Sequence, residues 1–208
     1  MIDQATLITY LAILLGFVFI PGPAVLLTLA RASTGGTRVG LATGLGIAAG
    51  DIIHTMMAVI GISAIILASA FLFTLVKYLG AAYLVYLGIR AILEKVDISR
   101  PAAAAALSPR AAFRQAILAE VLNPKSALFF LAFLPQFVKP ENGAVSLQLI
   151  VLGVLFVLMG LVSTVIVAVS AGSLGAFLRR NPLVLRWQGK VVGTIYCALG
   201  IRLALQEK

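Results

Sequence analysis

The chain has 208 residues, of which 62% are hydrophobic and only 11% are charged, and its formal net charge is +9. Ordinary soluble domains carry about 25% charged residues, so this composition and a mean hydropathy of +1.11 exclude a soluble globule. The sequence predicts an all-α, multi-pass membrane protein without an extramembrane domain of its own.

The first apolar run, from Ala5 to Ala30, contains no charged residue and exceeds the roughly 20 residues that a spanning helix needs. Pro21-Gly22-Pro23 interrupts this run well inside. Each proline removes a backbone donor, and a helix break at membrane depth is tolerated only inside protein or beside a polar cavity. The break is therefore a packing kink or part of a binding or gating site, and two prolines with a glycine favour the site.

Connections with turn residues or charges divide the chain into six predicted spans, at 5–30, 39–66, 70–92, 113–138, 146–171 and 184–205. Local sequence signals hardly mark the second connection. Length requires it, because one helix from Val39 to Val76 would be about 57 Å long, nearly twice the thickness of the hydrocarbon layer.

The Lys and Arg residues lie mainly on one side of these spans. Eleven of the 16 flank the first, third and fifth connections: Arg31, Arg38, Arg90, Lys95, Arg100, Arg110, Arg114, Arg179, Arg180, Arg186 and Lys190. Basic residues mark the cytoplasmic side, so both termini are predicted to be periplasmic or extracellular. The positive charge thus reflects topology and contact with anionic membrane lipid, and no nucleic-acid partner is predicted.

A sequence repeat relates the two halves of the chain. The pattern Lys-x-x-Gly-x-x-Tyr begins at Lys77 and recurs at Lys190, and the proline break of the first span has a counterpart at Asn123-Pro124-Lys125. Because each half contains three spans, an odd number, the two halves must have opposite orientations in the membrane. The same arrangement occurs in secondary transporters whose binding site lies between inverted repeats. Chance remains the competing explanation, although paired breaks weaken it.

The predicted fold is therefore six transmembrane helices arranged as two inverted three-helix repeats, with helices 1 and 4 broken by proline. The first repeat covers 1–93, a cytoplasmic linker covers 94–112, and the second repeat covers 113–208.

Ionisable side chains at membrane depth are costly and by default indicate function. Asp51 follows Gly40, Gly44, Gly46 and Gly50, whose spacing is the small-xxx-small pattern of closely packed helices. We therefore expect Asp51 to point into the bundle near the first break. There it would contact protons or substrate, or it would cap a freed helix end.

Glu120 and Lys125 flank the second break. They either pair with each other or hold opposite ends of a zwitterion, the cation holding a carboxylate and the acid an ammonium. Asn123 can hydrogen-bond either end, and backbone N–H groups after Pro23 or Pro124 can hold a carboxylate at a helix N-terminus.

His54 lies three residues after Asp51, on the same face of the second span. A metal site needs more ligands than this pair supplies, so neither a metal nor a cofactor is predicted. The chain has no Gly-x-Ser-x-Gly elbow and no Gly-x-x-x-x-Gly-Lys loop, so neither an enzyme nor ATP-driven transport is expected. Export of a metal or other inorganic cation is the alternative function, although two acids and one histidine would serve it poorly.

Four motifs in order resemble the LysE/RhtB family of bacterial amino-acid exporters over nearly the whole chain. They are Pro21-Gly22-Pro23, the glycine-rich stretch before Asp51, Lys77-x-x-Gly80-Ala-Ala-Tyr83, and Asn123-Pro124-Lys125 with Leu134-Pro135-Gln136-Phe137. The resemblance implies an exporter of amino acids or their derivatives, driven by the proton motive force. The family's motif positions fall on Pro21, Gly22, Pro23, Asp51, Asn123, Pro124 and Lys125.

We therefore expect a secondary active exporter, a proton antiporter, in the bacterial inner (plasma) membrane. Its substrate would lie between the broken first and fourth spans, where Asp51, Glu120 and Lys125 supply the charges while the two halves rock. Faces of small residues permit a homodimer without requiring one.

Overall fold

The computed structural model describes residues 2–19, 22–68, 70–93 and 107–180, together with isolated positions between 187 and 205. Pro21, most of the predicted linker and most of the predicted sixth span lie outside the described residues. Every regular element in the described ranges is helical: α1 (Gln4–Phe19), α2 (Pro23–Gly35), α3 (Thr37–Ala68), α4 (Ala70–Leu93), α5 (Pro109–Val121), α6 (Pro124–Leu128) and α7 (Val145–Arg180). A π-helical turn (Phe129–Phe133) and a 3-10 turn (Leu134–Phe137) continue α6, and a second 3-10 turn (Pro140–Asn142) precedes α7.

Two of these helices are long and apolar enough to cross a membrane by themselves, at Thr37–Gly61 and Val145–Ser173. Two bent pairs add candidate spans: α1 and α2 meet at 44°, and α5 meets the segment Pro124–Phe137 at 46°. Counting each pair as one broken span gives four candidate spans within the described ranges. The chain is therefore a helical multi-pass membrane protein with breaks in the predicted first and fourth spans, and the complete six-helix inverted repeat stays a prediction.

The connection between α2 and α3 is shorter than the interval 31–38 that separates the first two predicted spans. Helix α2 continues through Gly35, and Gly36 alone, with a φ of 82°, separates it from Thr37. The N–H of Gly36 donates to the Ala32 carbonyl, a helix ending that favours glycine because its backbone is left-handed.

The fourth span also begins earlier than predicted, at Pro109 instead of 113. Ser108 caps α5, because its hydroxyl accepts a hydrogen bond of 3.3 Å from the N–H of Ala111. Proline is favoured at the first position of a helix, because the N–H that it lacks would have no partner within the helix there. The alanine-rich sequence upstream made this start signal, a capping serine followed by proline, difficult to recognise.

Helix α3 occupies the centre and packs most extensively on α5 and α7. A Cβ at Gly46 would lie 2.8 Å from the Ala116 Cβ and even closer to a backbone carbonyl of α5, and a Cβ at Gly50 would lie 2.6 Å from the Glu120 Cβ. Only glycine permits this approach, which brings Asp51, the next residue, beside α5.

The other glycine pair of α3 faces α7. A Cβ at Gly44 would lie 2.7 Å from the Thr164 Oγ1, and a Cβ at Gly40 would lie 3.0 Å from the Ala168 Cβ and 2.5 Å from the Ala32 Cβ of α2. Both predicted small-xxx-small faces are thus confirmed as helix contacts, which is why α3 fits between α5 and α7.

A cluster of aromatic rings joins α1, the segment after the second break and α7. Its buried members are Tyr10, Phe17, Phe129, Phe130, Phe133, Phe137 and Phe156. The Phe129 ring lies 4.5 Å from the Phe17 ring and 4.7 Å from the Phe156 ring, centroid to centroid. The Tyr10 hydroxyl donates to the Leu152 carbonyl at 2.8 Å, so even the polar end of this cluster is satisfied. The cluster holds the two broken segments side by side.

An ion pair ties the start of α1 to the connection before α7. The Asp3 carboxylate accepts from the Thr6 N–H at 2.9 Å and from the Lys139 ammonium at 2.8 Å. The hydrogen bonds from Lys139 and Thr6 lower the pKa of Asp3, and the same contact raises the pKa of Lys139. Both groups are well exposed, so this pair contributes little to stability and mainly orients α1.

Helix α4 approaches the described positions of the predicted sixth span. A Cβ at Gly88 would lie 2.6 Å from the Gly193 carbonyl oxygen and 2.5 Å from the Cys197 Sγ. Cys197 therefore fills space at a close helix contact, as expected for a small packing residue.

The packing of α3 predicts that Gly46→Ala destabilises the protein by about 1–3 kcal/mol, because the added methyl meets α5 and its backbone cannot yield. Thermal unfolding in detergent, followed by circular dichroism, measures this change. Gly61→Ala on the same helix is the matched control, since a Cβ there meets nothing within 4 Å. Equal stability of the two variants would contradict this packing.

Candidate functional site

A cavity of about 40 Å³ lies where the two helix breaks meet α3 and α7. Five of the predicted site residues line it: Gly22, Asp51, Glu120, Asn123 and Lys125. The remaining wall comes from Phe17, Val18, Ala24, Val25, Ile47, Ser126, Phe156, Gly160, Ser163 and Thr164. This volume holds about three water molecules.

The prolines themselves are not part of the lining. Pro23 and Pro124 are exposed at the first positions of α2 and α6, and Pro21 lies outside the described residues. Their contribution is therefore to the backbone around the cavity.

At the first break, Lys125 takes the place of a missing backbone donor. In an α-helix the N–H of residue 21 would bond the Phe17 carbonyl, but residue 21 is proline and has no N–H. The Lys125 ammonium instead donates to that carbonyl at 3.1 Å and lies 4.2 Å from the centroid of the Phe17 ring. A Cβ at Gly22 would lie 2.9 Å from the Lys125 Nζ, so glycine leaves the space that the ammonium occupies.

At the second break, His54 plays the corresponding part. Pro124 cannot donate to the Glu120 carbonyl, which instead accepts from the Asn123 N–H at 3.0 Å and lies 2.9 Å from the His54 Nε2. A carbonyl only accepts, so Nε2 carries the proton in this contact. The imidazole also stacks on the Phe130 ring, with 5.6 Å between centroids and 14° between planes. His54 thus stabilises the break from a neighbouring helix.

The polar side chains beside the second break satisfy one another. The Asn123 Oδ1 accepts from the backbone N–H of Lys125 at 3.1 Å and caps α6. Its amide nitrogen donates to the Glu120 carboxylate at 3.2 Å and to the Ser126 hydroxyl at 3.2 Å. The Ser126 hydroxyl donates in turn to Glu120 Oε1. Asn123 and Glu120 therefore form a connected framework at this end of the cavity.

Asp51 differs from Glu120 in how its carboxylate oxygens are hydrogen-bonded. Only 2% of Asp51 is exposed, and its Oδ1 has no hydrogen-bond partner within the part of the chain that the structure describes. Asp51 lines the same cavity as Glu120 and Lys125. A buried acceptor without a partner is costly, so Oδ1 is an acceptor that a donor entering this region could satisfy.

The N-terminus of α2 supplies a second positive element. Its cap residue is Gly22, which offers no side-chain cap, and the cavity wall continues through Ala24 and Val25 in the first turn. The first N–H groups of a helix carry partial positive charge and favour an anion. The cavity therefore combines the Lys125 ammonium and a helix N-terminus with the open Asp51 oxygen.

In the described ranges, no three His, Cys, Asp or Glu side chains are grouped so that they could hold a metal ion.

Sequence reasoning missed three contributors. Phe17 was not singled out, although counting four residues back from Pro21 identifies its carbonyl as the one that loses a donor. Ser163 donates to the Val18 carbonyl at 3.2 Å, and Ser126 binds Glu120. No local signal in the sequence marks these two serines, because their partners depend on how the helices pack.

Apolar helices, paired breaks and a charged cavity define the class of this protein as a multi-pass membrane protein with a polar site between its helices. The chain belongs to the LysE type translocator family, which matches residues 15–207.

Relatives cover nearly the whole chain. An uncharacterized membrane protein of Vibrio cholerae serotype O1 is 32% identical over 197 residues, 95% of each chain. The membrane protein YrhP of Bacillus subtilis is 31% identical over 209 residues, 96% of this chain and 99% of its own. The leucine efflux protein of Salmonella typhimurium is 34% identical over 131 residues, 62% of each chain. No solved structure gives a significant match.

The role of His54 predicts different outcomes for two substitutions. His54→Phe keeps an aromatic ring against Phe130 and removes one of the two donors to the Glu120 carbonyl, the Asn123 N–H being the other, so we expect a loss of about 0.5–1.5 kcal/mol. His54→Gln retains an N–H donor and should lose less. Thermal unfolding in detergent gives both values, and a phenylalanine variant as stable as the wild type would contradict the proposed hydrogen bond.

Proposed function

We propose that the protein is a secondary active exporter of amino acids or amino-acid derivatives across the bacterial plasma membrane, coupled to the proton motive force. The observation that carries this proposal is the single cavity in which a lysine ammonium, a helix N-terminus and an unpartnered carboxylate oxygen meet. Membership of the LysE type translocator family and the similarity to a leucine efflux protein support an amino acid as the substrate.

A zwitterion matches these groups. Its carboxylate would bind the Lys125 ammonium and the first N–H groups of α2, and its ammonium would donate to the open Oδ1 of Asp51. Glu120 supplies negative charge nearby, while its hydrogen bonds to Asn123 and Ser126 hold it in the framework. Asp51 is therefore the direct contact in this proposal and Glu120 its neighbour.

Transport requires the cavity to change size. Ligand sites are usually about 300–1,000 Å³, and the present cavity of about 40 Å³ is too small for most amino acids. We take the structure to represent a closed, occluded arrangement. Rocking of the two predicted repeats about the breaks would open the cavity to one side of the membrane at a time.

The coupled proton would bind at the carboxyl groups of Asp51 and Glu120. Asp51 and Glu120 line the same cavity, and one proton shared between two neighbouring carboxyl groups would relieve the repulsion of their charges. Entry of a substrate ammonium at Asp51 would compete with that proton. This competition is the coupling that an antiporter needs.

Several finer features belong to the same proposal: six spans in two inverted repeats, both termini on the outer side, the 94–112 linker in the cytoplasm, and contacts with membrane lipid. A homodimer is compatible with it and is not needed for the cavity. Export of an inorganic cation has no observation in its favour among the described residues, since no group of metal ligands is present there.

Asp51→Asn tests this function in proteoliposomes. With labelled leucine and an imposed proton gradient, we expect flux to fall about 10- to 100-fold, because a contact with a charged group contributes about 1.5–3 kcal/mol. Asp3→Asn is the matched control, since it makes the same chemical change outside the cavity. Other amino acids are tested in parallel.

Two results would count against the proposal. One is wild-type protein that moves none of the amino acids when a proton gradient is imposed. The other is Asp51→Asn protein that transports as fast as Asp3→Asn protein.

A further inference from the structure

Most glycines at the helix contacts are explained by packing. At Gly44, Gly46, Gly50 and Gly153, an added Cβ would come within 3.0 Å of an atom of a neighbouring helix. Glycine destabilises the interior of a helix, and close packing is the reason that glycine is found at these positions.

Gly160 does not follow this pattern. It lies inside α7 and lines the cavity, yet the nearest atom that an added Cβ would meet is the Asp51 Oδ2, at 3.5 Å. That distance is ordinary van der Waals contact, so the resting structure has room for alanine at this position. Helix packing therefore does not explain this glycine.

The space beside Gly160 is part of the cavity. Phe156 and Ser163 lie four residues before and three residues after it, on the same face of α7, and both line the cavity. A methyl group at position 160 would take up part of a volume of only about 40 Å³, beside the carboxylate of Asp51.

We propose that Gly160 determines substrate size, by leaving room beside Asp51 for the side chain of the bound amino acid. This inference rests on the proposed function, in which Asp51 holds the substrate ammonium. The side chain is attached to the carbon that carries this ammonium, so it must pass close to Asp51. The apolar wall formed by Phe17, Ile47 and Phe156 suits an uncharged side chain.

The first test compares a small and a large substrate in proteoliposomes. For Gly160→Ala we expect leucine transport to fall by at least about tenfold relative to alanine transport, since one methylene in a pocket changes discrimination by about 10- to 200-fold. Gly172→Ala is the control on the same helix, because a Cβ there meets nothing within 4 Å. It should leave the ratio unchanged.

The second test does not depend on transport. In a Cys197→Ser background, which removes the single native cysteine, Gly160→Cys should react with a small water-soluble thiol reagent, and saturating leucine should slow that reaction. A cysteine that does not react in the folded protein would overturn the placement of position 160 in the cavity.

The two tests separate the possible failures. Active wild-type protein whose leucine-to-alanine ratio is unchanged by Gly160→Ala would overturn the role of Gly160 and leave the proposed function standing. Wild-type protein that moves neither amino acid would contradict the proposed function, and the size inference with it.

Discussion

The missing N–H of proline is the constraint on which the rest of this structure depends. A buried carbonyl without a donor costs several kcal/mol in hydrocarbon, and the chain places prolines inside two apolar segments. The Lys125 ammonium satisfies the Phe17 carbonyl at the first break, and at the second the His54 imidazole and the Asn123 N–H both donate to the Glu120 carbonyl. Each break is thus completed by a side chain from another segment, which places polar groups at membrane depth for a structural reason.

This arrangement also links the two breaks. Lys125 lies in the first turn of α6, beside the second break, and its ammonium reaches the first break in the space left by Gly22. In the proposed mechanism, a substrate carboxylate competes with the Phe17 carbonyl for this ammonium. Binding would then loosen the first break while Asn123 keeps the second one capped, so that occupancy of the cavity and the bend of the helix change together.

Much of this could be predicted from local sequence signals. Apolar length identified the described spans, proline identified both breaks, and the glycine spacing before Asp51 identified the close contacts of α3. The partners of Lys125 and His54 could not be predicted, because they lie on elements far away in sequence and depend on helix packing. The same limit applies to the open oxygen of Asp51, since Asp51 and Glu120 look equivalent until the hydrogen bonds of Asn123 and Ser126 are known.

Chemical rescue of the ammonium at position 125 tests the central claim most directly. Lys125→Cys in the Cys197→Ser background should transport poorly, and aminoethylation of the new cysteine rebuilds a lysine-like side chain, with mass spectrometry reporting its completion. We predict that aminoethylation restores amino-acid flux in proteoliposomes and that S-propylation, which adds a similar volume without charge, does not. Equal recovery with both reagents, or full activity of the unmodified Lys125→Cys protein, would contradict the claim that one ammonium serves both the helix break and the substrate.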